Sequence, residues 1–189
     1  MTPDLLLDTC SIINLSYCSP VAVLFKDKYA GRAGWARAVH SELTRQRTKC
    51  PPHPQAGRAC NWAVSWLEPP IEITDPDGQI AVAAIQNQIA LGSGDDTLDH
   101  LGEAASIHLL TKAGTGRLIS DDHGARDTAR TSHDVLATST VGVLAALLAR
   151  SEVELDLADI YLSTLREKGR MRAILTATDL LAGNLGPWS

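Results

Sequence analysis

Four acidic positions stand where a parallel α/β sheet would gather them at one edge. They are Asp8 after Leu5-Leu6-Leu7, Glu42 in a helix-like stretch, Glu103 in Leu101-Gly102-Glu103-Ala104-Ala105, and the pair Asp121-Asp122 after Leu118-Ile119-Ser120. Two carboxylates ~4 Å apart at an effective dielectric of ~20 repel by on the order of 4 kcal/mol. A divalent cation in their midst removes that penalty, and Mg2+ or Mn2+ suits an oxygen-only ligand set with several retained waters. Such an ion can hold a phosphodiester, lower the pKa of a bound water and stabilise the leaving oxygen, and a second ion ~4 Å away completes a two-metal displacement. The pattern points to a metal-dependent nuclease.

Each position also has a plainer reading. Asp8 after a strand can simply cap a helix, and Glu42 can be a solvated helix residue. Glu103 is more specific, because it borders the apolar stripe of Leu98, Leu101, Ala105 and Leu109 rather than lying opposite it. Gly102 beside it costs about 1 kcal/mol of helix propensity, yet lets another backbone or a ligand come close. Asp99 lies one helical turn earlier on the same face and is an alternative third acid. Thr9 and Ser120 can hold waters or orient carboxylates, and Arg126, Arg130 and Lys112 are candidates for phosphate contacts. His123 beside the acidic pair reads first as a solvated loop residue.

The elements that would position these residues alternate. Leu5–Leu7, Ile71–Thr74, Arg117–Ser120 and Val135–Thr138 read as strands. Helical patterns cover 11–17, 34–47, 56–67, 80–91, 97–112, 123–130, 141–149, 155–165 and 171–181, with Asp96 as an N-cap and Asp75-Pro76-Asp77-Gly78 as a turn. This predicts a three-layer α/β/α sandwich around a central parallel sheet of four to five strands, plus extra C-terminal helices. Residues 1–150 would form the nuclease domain and 151–189 a helical extension packing on it. In such sheets ligands bind beyond the carboxyl ends of the strands, where strand order switches.

Composition narrows the class. A chain of 189 residues with 44% hydrophobic and 4% aromatic content builds its core from Leu, Ile, Val and Ala. A net charge of −5 argues against binding nucleic acid by overall positive charge. Two local runs depart from it: residues 44–49 hold three cations and no acid, and residues 166–172 hold four cations and one acid. Either is a solvated helix face or a phosphate-binding surface, and binding would depend strongly on salt if one flanked the acids. Cys10, Cys18, Cys50 and Cys60 lack zinc-site spacing; Cys50 and Cys60 with His53 are a remote alternative, and reduced thiols fit better. Asp4 and Asp8 replace the basic start of a signal peptide, and no apolar run reaches membrane-spanning length. The expectation is a soluble, cytoplasmic protein without a membrane partner.

The motifs together resemble the PIN domain, the family named for the PilT amino terminus that includes the toxin ribonucleases of bacterial toxin–antitoxin pairs. Leu7-Asp8-Thr9-Cys10-Ser11-Ile12-Ile13-Asn14-Leu15 is similar to its first-strand motif, with Cys10 where Ser is usual. Ser41-Glu42-Leu43 is similar to the second acidic position, and Gly102-Glu103-Ala104-Ala105 to the third in a Gly-Glu-Ala subgroup. Asp121-Asp122-His123-Gly124-Ala125-Arg126-Asp127-Thr128-Ala129 resembles that subgroup's fourth motif. Thr140-Val141-Gly142-Val143-Leu144 resembles the segment that follows, with Ser139 replacing a glycine. The match covers roughly residues 4 to 150.

The resemblance implies a Mg2+- or Mn2+-dependent endoribonuclease in which Asp8, Glu42, Glu103 and Asp122 bind metal and catalyse, with Asp121 as a further ligand. It also implies an RNA substrate, for which Thr9, Ser120, Arg126 and Arg130 are the candidate contacts, an antitoxin protein as partner, and a homodimer. The alternatives are a haloacid-dehalogenase-like phosphatase, which needs an Asp where Cys10 stands, and a PIN scaffold retained only to bind nucleic acid or protein. Adhesion modules of the von Willebrand type and receiver domains fit less well, since their serines or bunched acids are missing around Asp8.

Overall fold

The computed structural model describes residues 3–51, 53–93, 100–171, 173 and 175–188. Asp96 and Asp99, the expected cap and the alternative third acid, lie outside the described residues, as do Leu98 and Arg172.

Strand β1 (Leu5–Leu7) is central in a four-stranded, all-parallel sheet of order β2-β1-β3-β4, with β2 at Ala33–Gly34, β3 at Arg117–Ile119 and β4 at Leu136–Thr138. Leu6, Leu7, Leu118 and Ile119 are fully buried, as a strand covered on both faces requires. From β1 the chain first adds β2 on one side and later β3 on the other, so strand order switches between β1 and β3. Leu7 pairs with Ile119 and Ile119 with Thr138. The residues just beyond, Asp8, Ser120 and Ser139, therefore meet at one edge, where the Asp8 amide donates to the Ile119 carbonyl (3.1 Å).

Helices cover both faces. The first group is α1 (Thr9–Tyr17), α2 (Ser19–Tyr29), α8 (Thr140–Ala149), α9 (Leu155–Glu167) and α10 (Ala177–Leu181); the second is α3 (Arg37–Thr48), α4 (Ala56–Val64), α5 (Pro76–Ser93), α6 (Leu101–Ala113) and α7 (His123–His133). A short 3-10 turn at Gly186–Trp188 ends the described chain. Helix α9 buries Ala158, Tyr161, Leu162 and Leu165 in the same core as the sheet. No helix of the described residues is long and apolar enough to cross a membrane.

Several segments differ from the sequence expectation. Ile71–Thr74 does not form a strand: only Ile71 bridges to Ala36, after which the chain turns into α5. Asp75-Pro76-Asp77-Gly78 opens that helix instead of making a free turn, with the Asp75 carboxylate accepting from the Gly78 amide (2.8 Å) and Pro76 at the first helical position. The same residue types serve both purposes, so composition alone does not separate them. Ala33–Gly34 pairs with Leu5 and Leu6, which moves the start of α3 to Arg37. Sequence patterning assigns nothing to 19–29, where α2 forms with Pro20 in its first turn. The helix expected over 171–181 shrinks to α10, which begins at a reciprocal cap between Thr176 and Asp179.

Candidate active site

Asp8 is fully buried where β1 passes into α1. Its Oδ1 accepts from the Ser11 amide (2.6 Å), capping α1, and its Oδ2 accepts from the Ser120 hydroxyl. Asp122 caps α7 by accepting from the Ala125 amide (2.7 Å). Asp121 reaches the start of α8, where both the amide (2.8 Å) and the hydroxyl of Thr140 donate to it. Glu42, projecting from α3, accepts from the Gly102 amide (2.8 Å) in the first turn of α6 and from the Thr9 hydroxyl. Four acids thus sit at four helix N-termini, where unsatisfied amides and the helix dipole favour negative charge.

The close approach at Glu42 depends on Gly102. A Cβ there would fall 2.8 Å from Glu42 Oε2 and 3.0 Å from Val39 Cγ2. The low helix propensity of glycine is offset by letting a carboxylate reach the helix backbone, the role its position suggested.

Glu103, next along α6, is different. It is buried, and its Oε2 has no hydrogen-bond partner among the described residues. Burial pushes its carboxyl well above the usual range, and the nearby charges of Asp8 and Glu42, with a smaller one from Asp122, push in the same direction. Burial likewise raises Asp8 to about 7, reinforced by Asp121 and opposed by its hydrogen bonds to Ser120 and Ser11. Asp121 is raised by burial, while Asn14 and Thr140 hold it back. Asp8, Glu42, Glu103 and Asp122 therefore share one electrostatic neighbourhood. Yet among the described residues no three His, Cys, Asp or Glu side chains stand close enough to form a ready metal cage.

The remaining expected residues occupy other roles. Thr9 and Ser120 are buried and orient Glu42 and Asp8 respectively. Arg126 is not placed to meet a phosphate: it is 1% exposed, and its guanidinium donates to the Ser120 carbonyl (3.0 Å) beneath the acids. Burial lowers its pKa, against the pull of Asp121. Arg130 clamps α7 to β4 through two bonds to the Ala137 carbonyl (3.2 and 2.7 Å), and Lys112 pairs with Asp75 (3.6 Å) at the far end of α6. His123 is exposed at the start of α7, and all four cysteines are free.

Four residues escape the sequence reading. Asn14 donates to Asp121 (2.7 Å) and accepts from Arg170 Nε (2.8 Å); Tyr161 donates to the Thr140 hydroxyl (2.9 Å), which donates on to Asp121. Asp121 is thus bound on both oxygens, partly through residues of the last forty. A polar Asn14 within the apolar run Ile12-Ile13-Asn14-Leu15 was the available signal. Nothing in the spacing of Thr140, Tyr161 and Arg170 pointed to Asp121.

Compared with protein-family models, with curated proteins and with solved structures, the chain finds no match in any of the three. The reading of the site rests on its own geometry and on the motif resemblance.

Proposed function

We propose that this protein is a Mg2+- or Mn2+-dependent endonuclease of PIN-like architecture that hydrolyses RNA phosphodiesters. The observation that carries the reading is Glu103: a buried carboxylate with an unpartnered Oε2, in the electrostatic company of Asp8, Glu42 and Asp122. A bare buried anion among like charges is costly unless a cation joins it.

The donor set is all oxygen, which fits these hard ions. Asp8, Glu42, Glu103 and Asp122 would hold the cation, which supplies charge neutralisation and a water of lowered pKa. Asp121, held on both oxygens by Thr140 and Asn14 as Asp8 and Glu42 are held by their own neighbours, would be a further ligand at the edge of the sheet. Thr9 and Ser120 orient Glu42 and Asp8, and buried Arg126 places a fixed positive charge below the pocket. Asp8 remains partly protonated near neutral pH, so taking up a cation there releases a proton and is favoured by higher pH.

RNA rather than DNA, toxin activity, an antitoxin partner and a homodimer are proposed on the motif resemblance. The test is incubation of the full chain with mixed RNA and DNA substrates, in Mn2+ or in chelator. RNA cleavage that needs Mn2+ and disappears in Glu103→Gln is the expected result. Intact substrates in Mn2+, or phosphatase activity alone, would overturn the assignment.

A further inference from the structure

Next to the acids, helix α1 presents one face to an open groove. Cys10, Ile13 and Tyr17 are spaced at i, i+3 and i+7, on one side of the helix and about 10 Å from first to last. Cys10 and Ile13 line a cleft of about 850 Å3 whose walls include Arg45, Lys49, His53 and Arg170. A second cleft of about 700 Å3 shares His53 and Arg170 with the first and adds Tyr17, Arg58 and Lys168. The two clefts adjoin at these shared residues and make a groove along α1, the helix that Asp8 caps.

The charge of this groove opposes that of the chain. Against a net −5 overall, the groove gathers Arg45, Lys49, Arg58, Lys168 and Arg170, with Glu167 the single lining acid among the described residues. Arg45, Lys49, Arg58 and Lys168 are exposed, and none forms a salt bridge with a described acid. The two basic runs of the sequence, 44–49 and 166–172, meet here, with Arg170 Nε anchored on Asn14 of α1. Cations line the walls, most of them exposed, and an apolar floor ends in a half-buried aromatic ring. That combination matches single-stranded nucleic acid, whose phosphates take the cations while a base stacks on the ring. Each cleft lies in the size range of pockets that enclose compact ligands, roughly 300–1,000 Å3.

We infer that this groove binds a single-stranded polynucleotide and feeds it to the acids, with Arg45, Lys49, Arg58 and Lys168 on phosphates and Tyr17 under a base. The feeding step rests on the nuclease reading; the binding does not. Binding is therefore measured in chelator, by anisotropy of a labelled single-stranded RNA against the full chain over a range of salt. The wild-type protein should bind the strand more tightly than the matching duplex. The Arg45→Gln/Lys49→Gln variant should lose about 1.4 from the slope of log affinity against log salt, the amount expected for two phosphate contacts on a single strand. The Arg58→Gln/Lys168→Gln variant, altered in the other half of the groove, should lose the same with an unchanged melting temperature. Equal affinity for duplex, unaltered slopes in both variants, or displacement of the strand by polyglutamate at equal charge would overturn the inference. Binding without Mn2+-dependent cleavage would keep the groove and remove the nuclease reading.

Discussion

Asp8 and Lys49 lie on adjoining parts of the molecule in opposite surroundings. Asp8 is fully buried at the head of α1, with both oxygens bonded to the protein and its carboxyl raised to about 7. Lys49 stands exposed at the end of α3, on the wall of a groove, with no acid paired to it among the described residues. A surface cation of that kind contributes little to stability either way. Buried acids are a different matter, since burial and mutual repulsion both act against their ionised forms. The contrast separates a pocket in which the fold tolerates stored electrostatic stress from a groove in which charge is cheap and free to meet a ligand.

The largest expected effect comes from Asp8→Asn. Asparagine can still cap α1 but carries no charge, so the variant should lose RNA cleavage. In chelator at pH 8 it should gain up to about 4 kcal/mol of stability, the amount that a shift from 3.8 to about 7 implies. Because the raised group binds a proton in the folded state, Asp8's own contribution to stability in chelator is fully present below pH 3.8 and is lost as pH rises through about 7. The difference in stability between Asp8→Asn and wild type should therefore grow over that range. Urea unfolding across this range reads both. A variant no more stable than wild type at pH 8 would break the contrast between pocket and groove.

Gly102→Ala tests the packing of the pocket. Alanine ordinarily stabilises a helix relative to glycine by about 1 kcal/mol. Here the new methyl meets Glu42 Oε2 and Val39, so the substitution should instead destabilise by about 1–3 kcal/mol. The sign of the change decides the matter.

Tyr161→Phe removes the donor to Thr140 and should cost about 1 kcal/mol, with weaker cleavage if Thr140 and Asp121 fix the sheet edge. Smallest of all, Arg45→Gln in the groove should move stability by less than about 0.5 kcal/mol, while weakening strand binding. A large stability loss from Arg45→Gln would mean that the groove, too, is structural.

The sheet was legible because Leu5-Leu6-Leu7 and Leu118-Ile119 are short apolar runs with an acid just beyond each, a pattern that a doubly covered parallel strand produces. The strand-end rule then placed Asp8 and Asp121-Asp122 together, and Gly102 signalled a close approach to α6. Other features depended on partners distant in the chain. Ala33–Gly34 is a strand only because Leu5 and Leu6 pair with it, and two residues carry no periodicity. Asp75-Pro76 serves a turn or a helix start equally well until Gly78 supplies the amide. Arg126 looked like a phosphate ligand by sequence position, whereas the register of α7 turns it under Ser120. The link from Tyr161 and Arg170 to Asp121 runs through Thr140 and Asn14, a three-dimensional relay with no local signature.

The central claim, that these carboxylates jointly hold a divalent cation, is tested most directly by melting the full chain at pH 8 in Mn2+ and in chelator. The account predicts a higher melting temperature in Mn2+, most of which Asp122→Asn should lose. Superimposable melting curves for the wild-type protein in the two conditions would contradict it.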